Sequence, residues 1–287
     1  MKDTSRGIVR LVDMDWGTLD PTAQRAHLAT EGYVVMPGLI DRATIDTVRA
    51  ELADLPMNVA SYSAEQKFAK EPPQWHSRRF AELIAHPPLV ALLKAALGDD
   101  LVFMLGHYIT SGPGVPGLAL HSDYQPFGSP AKGWEESSPA TLRVLVYLDD
   151  LTLDRAPFTI VPRSHASVHG AANPYIRYDH HPDMETVTLK AGDAIVFNVK
   201  AFHGTHPHLG NEGRGMLEFA YRAAWARCAG PVKEWDEGVV EAAPDVARPY
   251  LSARNGGIAE QALGTVLDAR EGDFGGLMPA APKDYLR

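Results

Sequence analysis

Between residues 101 and 225 the chain is a succession of short apolar runs separated by turns, with no helical period between them. Leu101 to Thr110, Thr141 to Leu148, Phe158 to Val161, Thr186 to Leu189, Ala194 to Asn198 and Gly215 to Trp225 each read as a strand. Strands at this spacing, joined by loops rather than helices, predict an antiparallel sandwich or jelly roll. The 22 prolines and 25 glycines, spread throughout, cut the chain into many such short elements.

The stretch before Gly98 has a different texture. Pro21 to Thr30 carries a helix-compatible pattern, and Asp41 is placed to cap a helix running towards Leu55, with Ile45, Val48, Leu52 and Leu55 at helical spacing. Between them Gly32-Tyr-Val-Val-Met-Pro-Gly38 predicts a short strand and a turn. Arg78 to Leu97 predicts two helical segments separated by Pro87-Pro88, with Gly98 as the residue that ends the second. The expectation is one domain over 1–287: a helical third at about 18–98, a jelly-roll core at about 100–226 and a mixed extension at 227–287.

Charge and cysteine content exclude several function classes. With 27 Lys+Arg against 36 Asp+Glu, the formal charge is −9, the wrong sign for a nucleic-acid binder, which needs a basic face. The lone Cys228 cannot make an intrachain disulfide, so a secreted disulfide framework is excluded. No run approaches the ~20 apolar residues of a membrane helix, and Met1 to Trp16 lacks the apolar core of a secretory signal. A cytoplasmic protein, monomeric or homodimeric, with a small-molecule substrate is expected. Gly112-Pro-Gly-Val-Pro-Gly117 matches the letters of a dinucleotide fingerprint, but its prolines preclude the helix that should receive the pyrophosphate. No G-x-S-x-G or phosphate-binding G-x-x-x-x-G-K-[ST] is present.

Twelve histidines remain, and one has an informative neighbour. In His121-Ser-Asp123 an imidazole and a carboxylate lie two residues apart, which in extended backbone places them on one side. A third ligand must come from elsewhere. His203, beyond the apolar Ala194 to Asn198 run, is the candidate; His206 and His208 compete with it. Two histidines and one carboxylate form the facial triad of non-haem Fe(II) oxygenases, leaving three coordination positions open. Arg214, eleven residues after His203, offers a guanidinium fork suited to a carboxylate. Arg143, mid-strand, is either a second carboxylate contact or an outward-facing charge.

Together these segments resemble the phytanoyl-CoA dioxygenase family of Fe(II)/2-oxoglutarate oxygenases. His121-Ser-Asp123 resembles its H-x-D, His203-Gly-Thr205 with Asn211 and Arg214 its H-G-[ST]…N…R segment, and Leu148-Asp-Asp150, Val161-Pro-Arg-Ser-His165 and Gly192-Asp-Ala its L-D-D, P-G-S-H and G-D-[AT] stretches. Gly32-Tyr-Val-Val fits its N-terminal opening. Arg163 departs from the pattern, standing where a glycine is usual, and Leu120 replaces a tryptophan found before the first histidine in many members. The resemblance implies a mainly β fold with flanking helices, a cupin-like jelly roll (double-stranded β-helix). It implies Fe(II) held by His121, Asp123 and His203, 2-oxoglutarate as co-substrate held by Arg214 and Thr205, dioxygen as oxidant, and hydroxylation of a small organic molecule with release of succinate and CO₂. Tyr124, Phe127, Trp134 and His206 are the candidate substrate contacts. A cupin-like metal-dependent hydrolase or isomerase using the same three ligands is the alternative; it has no use for Arg214 or for oxygen.

Overall fold

The computed structural model describes residues 9–123, 140–166, 181–226 and 232–255. Two sheets face each other, which is the architecture expected of a jelly roll. The larger has seven strands in the order β2-β10-β7-β12-β5-β4-β3: β2 (Tyr33–Met36), β3 (Met57–Ala60), β4 (Ser63–Ala69), β5 (Leu101–Ser111), β7 (Thr141–Tyr147), β10 (Ala194–Asn198) and β12 (Arg214–Ala223). The smaller has five in the order β1-β9-β8-β11-β6: β1 (Arg10–Leu11), β6 (Leu118–His121), β8 (Phe158–Ile160), β9 (Glu185–Val187) and β11 (His203–Thr205). Every pairing is antiparallel except β1 with β9 at one edge.

The helices α1 (Pro21–Glu31), α2 (Arg42–Glu51), α3 (Arg78–Leu83) and α4 (Pro87–Leu97) precede the core, and α5 (Glu237–Ala242) follows it. Local chemistry accounts for their ends. Asp20, Asp41 and Ser77 each accept a hydrogen bond from an amide three residues on, satisfying donors that the first helical turn leaves without partners. Pro87 occupies the first turn of α4, where its missing N–H costs nothing, and Gly98 ends it at φ 97°. α2 is shorter than its periodicity predicted: it stops at Glu51, yet Leu52 and Leu55 are still buried against the core. Ile45, Val48 and Leu52 form its inward face, and each such side chain contributes roughly 1.5–3 kcal/mol on burial.

The two sheets are tied across the core by specific contacts. Phe158 on β8 packs on Phe197 on β10, ring centroids 5.3 Å apart, and the Tyr33 hydroxyl on β2 donates to the Glu185 carboxylate on β9 at 2.7 Å. Gly192, at φ 94°, forms the turn into β10; a Cβ there would sit 2.2 Å from the Ile40 carbonyl oxygen, so only glycine allows this approach. Two features were not anticipated from the sequence. The β3–β4 hairpin extends the large sheet inside the region expected to be helical. His203 does not end the β10 strand: the chain turns at residues 199–202 and crosses to the other sheet before β11 begins. Arg163, the departure in the P-R-S-H segment, has φ 63°, a left-handed conformation for which glycine is favoured.

Candidate metal centre

His121 ends β6 and His203 opens β11. The register of these antiparallel neighbours sets His203 directly opposite His121, so the two imidazoles meet as a cross-strand pair with centroids 4.4 Å apart. Gly204 permits that approach, because a Cβ there would lie 2.3 Å from the Leu118 carbonyl oxygen and force the strands apart. Asp123 follows β6. Its amide donates to the Val199 carbonyl at 3.0 Å, and the Ser122 hydroxyl donates to the same oxygen at 3.1 Å. These bonds fasten the segment to the chain leaving β10 and turn the carboxylate towards the histidines. Nε2 of His121 lies 3.7 Å from Asp123 Oδ1, and Nε2 of His203 lies 3.6 Å from Oδ2. One candidate donor atom from each residue falls within 4.8 Å of the other two.

The donor chemistry fits a cation. Nδ1 of His121 lies 2.8 Å from the Ala119 carbonyl, and Nδ1 of His203 lies 3.0 Å from that of Ala201. A carbonyl only accepts, so each Nδ1 carries a hydrogen, which in a neutral ring puts the lone pair on Nε2. Burial pushes the His203 pKa down to about 4, against the raising effect of Asp123, so its imidazole is neutral at neutral pH, as a ligand must be. Asp123 Oδ2 is buried and has no hydrogen-bond donor aligned on it among the described residues. Arg143 Nε stands 2.9 Å from that oxygen, a charge contact without hydrogen-bond direction. Phe197 and Phe158 wall the site, 4.5 and 5.7 Å from the His203 ring.

A second cluster lies on the inner face of the large sheet. Arg214 opens β12 and is buried. Its Nε donates to the Arg155 carbonyl at 3.1 Å and an Nη to that of Ala156 at 3.4 Å. Ala156 is held at φ 50°, a strained geometry costing on the order of 1–3 kcal/mol that the surrounding structure must impose. No carboxylate among the described residues is within ion-pair distance of Arg214, and burial lowers its pKa. The Tyr147 ring centroid lies 5.4 Å from the guanidinium carbon. The Tyr147 hydroxyl is buried, has no hydrogen-bond partner among the described residues, and its pKa is pushed up to about 12 chiefly by that burial.

The other candidates are distributed as follows. Arg143 faces inwards, between Asp123 and Glu218. Thr205 is two residues from His203, and its hydroxyl accepts from the Leu118 amide at 3.1 Å. His206 does not join the three clustered residues: its Nε2 pairs with the Thr186 hydroxyl at 2.9 Å, and Thr186 projects from the face of the small sheet opposite His203 by strand alternation. His208 is buried opposite Arg155 and is likewise outside the group. Tyr124, Phe127 and Trp134 lie outside the described residues, as does Cys228. Tyr147, Glu218 and His107 were missed. Strand alternation was the available signal, since Tyr147 shares a face with Arg143 four residues earlier and Glu218 with Arg214.

The phytanoyl-CoA dioxygenase (PhyH) family model matches residues 28–216. No curated protein sequence matches significantly. Among solved structures, the epimerase SnoN in complex with Fe3+, alpha ketoglutarate and nogalamycin RO is similar at TM-score 0.59 and 21% identity, covering 74% of this chain and 88% of its own. HygX from Streptomyces hygroscopicus with nickel, 2-oxoglutarate and hygromycin B gives 0.58 and 21%, over 70% and 87%. The carbocyclase SnoK from nogalamycin biosynthesis gives 0.59 and 17%, over 74% and 87%. At these identities the likeness is one of fold.

Proposed function

The chain belongs to the phytanoyl-CoA dioxygenase family of iron- and 2-oxoglutarate-dependent enzymes, and on that premise we propose that it hydroxylates a small organic molecule. One observation carries the reading: a cluster of two imidazoles and a carboxylate shares the interior with a buried arginine that, among the described residues, has no carboxylate within ion-pair distance. The hydrolase or isomerase alternative leaves that arginine without a purpose.

In this reading His121 and His203 give their Nε2 lone pairs and Asp123 one oxygen to Fe(II). Arg214 holds the far carboxylate of 2-oxoglutarate, and the Tyr147 hydroxyl donates a hydrogen bond to it. Thr205, whose oxygen already accepts from Leu118, keeps its hydroxyl hydrogen for the same anion. The aromatic wall of Phe158 and Phe197 excludes water from the ligand side. When bound, iron and 2-oxoglutarate supply the oxidation: dioxygen gives one oxygen atom to succinate and one to the substrate, with loss of CO₂. SnoN and HygX were solved with nogalamycin RO and hygromycin B, which supports a specialised metabolite as substrate. Hydroxylation is distinguished from epimerisation or ring closure by label from isotopic dioxygen in the product.

The test precedes any knowledge of substrate. Anaerobic addition of 2-oxoglutarate to the Fe(II) protein is expected to raise a visible charge-transfer band, and Asp123→Ala to abolish both the band and succinate release. Wild-type succinate release by Asp123→Ala sinks the assignment.

A further inference from the structure

Resting on the iron-binding reading above, we propose that Arg143, Glu218 and His107 form a positioning array that keeps Asp123 to a single-oxygen contact with the metal, so that the position needed by dioxygen stays open. The three come from adjacent strands. His107 on β5 is directly opposite Glu218 on β12, and Arg143 on β7 is opposite Ala220, two residues along from Glu218. All therefore project from one face, and they run in a diagonal row from the edge of the interior to the metal ligands.

The contacts are continuous. His107 is partly exposed, and its Nδ1 lies 3.1 Å from Glu218 Oε2. The other oxygen of Glu218 accepts from an Nη of Arg143. Arg143 Nε then reaches Asp123 Oδ2 at 2.9 Å. Glu218 is ionised, so it only accepts, and His107 Nδ1 supplies the hydrogen. Burying a guanidinium and a carboxylate together is a poor way to gain stability, since their desolvation offsets most of their attraction. An interior pair of this kind, placed against a candidate metal ligand, calls for another explanation.

Coordination arithmetic provides it. A six-coordinate metal with three protein donors has three positions left, two for the chelating keto acid and one for dioxygen. A carboxylate free to rotate can chelate with both oxygens and occupy that last position. Arg143 stands against one oxygen of Asp123, and Glu218 fixes where Arg143 stands. The array's contact with the site is through Asp123, so these are positioning residues. Outer contacts of this type typically contribute 10–100-fold to metal affinity.

The experiment is an Fe(II) titration of the full-length protein, followed by addition of nitric oxide to the Fe(II)–2-oxoglutarate form as an electron-paramagnetic-resonance probe of the open position. In Glu218→Gln we expect Fe(II) affinity to fall about 10–100-fold and the nitrosyl signal to weaken at saturating iron and 2-oxoglutarate. A role in stability alone lowers the melting temperature and leaves the nitrosyl signal of the folded fraction unchanged. His107→Gln, at the exposed end, folds irrespective of the interior and is expected to shift Fe(II) affinity in the same direction by about 2–5-fold, below the range for the inner contact. Affinity and signal equal to wild type in Glu218→Gln overturn the proposal; if that variant does not fold, unchanged affinity in His107→Gln does so. Failure of the wild-type protein itself to bind Fe(II) overturns instead the reading on which the proposal rests.

Discussion

Arg143 and Arg214 both lie on the inner face of the large sheet, the first half-buried and the second buried, yet their surroundings are opposite. Arg143 lies between two acids, Asp123 and Glu218. Burial acts to lower its pKa, but the two acids together outweigh that and raise it. Among the described residues Arg214 meets carbonyl oxygens, a methionine sulfur and the tyrosine ring, and burial lowers its pKa. The first cation is neutralised within the fold. The second is a buried charge without a carboxylate at ion-pair distance among the described residues, which is costly unless an anion arrives. The difference is why the proposal gives Arg143 a positioning role beside Asp123 and Arg214 the role of anion site. Arg222, also buried, shows what a purely architectural arginine looks like: its guanidinium donates to the carbonyls of Ala223, Ala224, Ala226, Ala253 and Arg254.

The contrast can be broken by substitution. Arg143→Met strands Glu218 as a buried, half-paired acid, and the apo-protein should lose about 3–5 kcal/mol by chemical denaturation. A loss no larger than that of Arg214→Met removes the distinction. Arg214→Met should weaken 2-oxoglutarate binding by about 2–4 kcal/mol, roughly 30–1000-fold, measured by anaerobic titration of the charge-transfer band. Its apo stability should hold or rise, since an uncompensated charge has gone. An unchanged dissociation constant would move the far carboxylate to another residue.

Acid should act on one end of the face only. Burial acts to raise the Glu218 pKa, but Arg143 and His107 overcome it and bring it to about 2, against an ordinary 4.5. A depressed carboxylate adds stability above its unfolded pKa and loses it as pH falls through the folded one. This contribution should be complete above about pH 4.5 and vanish towards pH 2. Comparing wild type with Glu218→Gln across that window isolates it, and parallel pH profiles would contradict the pairing. The smallest expected effect is that of Tyr147→Phe. It should cost one neutral hydrogen bond to 2-oxoglutarate, about 0.5–1.5 kcal/mol, while the apo melting temperature stays level or rises because a buried hydroxyl without a partner is removed. A clear fall in apo stability would mean that the hydroxyl already has a partner.

The sequence by itself determined the main helices and core strands, though not the β3–β4 hairpin, and the residue types of the candidate metal donors. Helix caps at Asp41 and Gly98, the Ala194–Asn198 strand and the H-x-D segment follow from local propensity and alternation, which act over a few residues and so are visible in a few residues. Tertiary structure alone decided which residues meet. His121 and His203 are 82 positions apart (203 − 121), and only the β6–β11 register, with Gly204 between them, sets one imidazole against the other. The same holds for the two arginines, which look alike in the chain. Whether a buried cation finds an acid or a carbonyl depends on partners from other strands, and no local pattern encodes that.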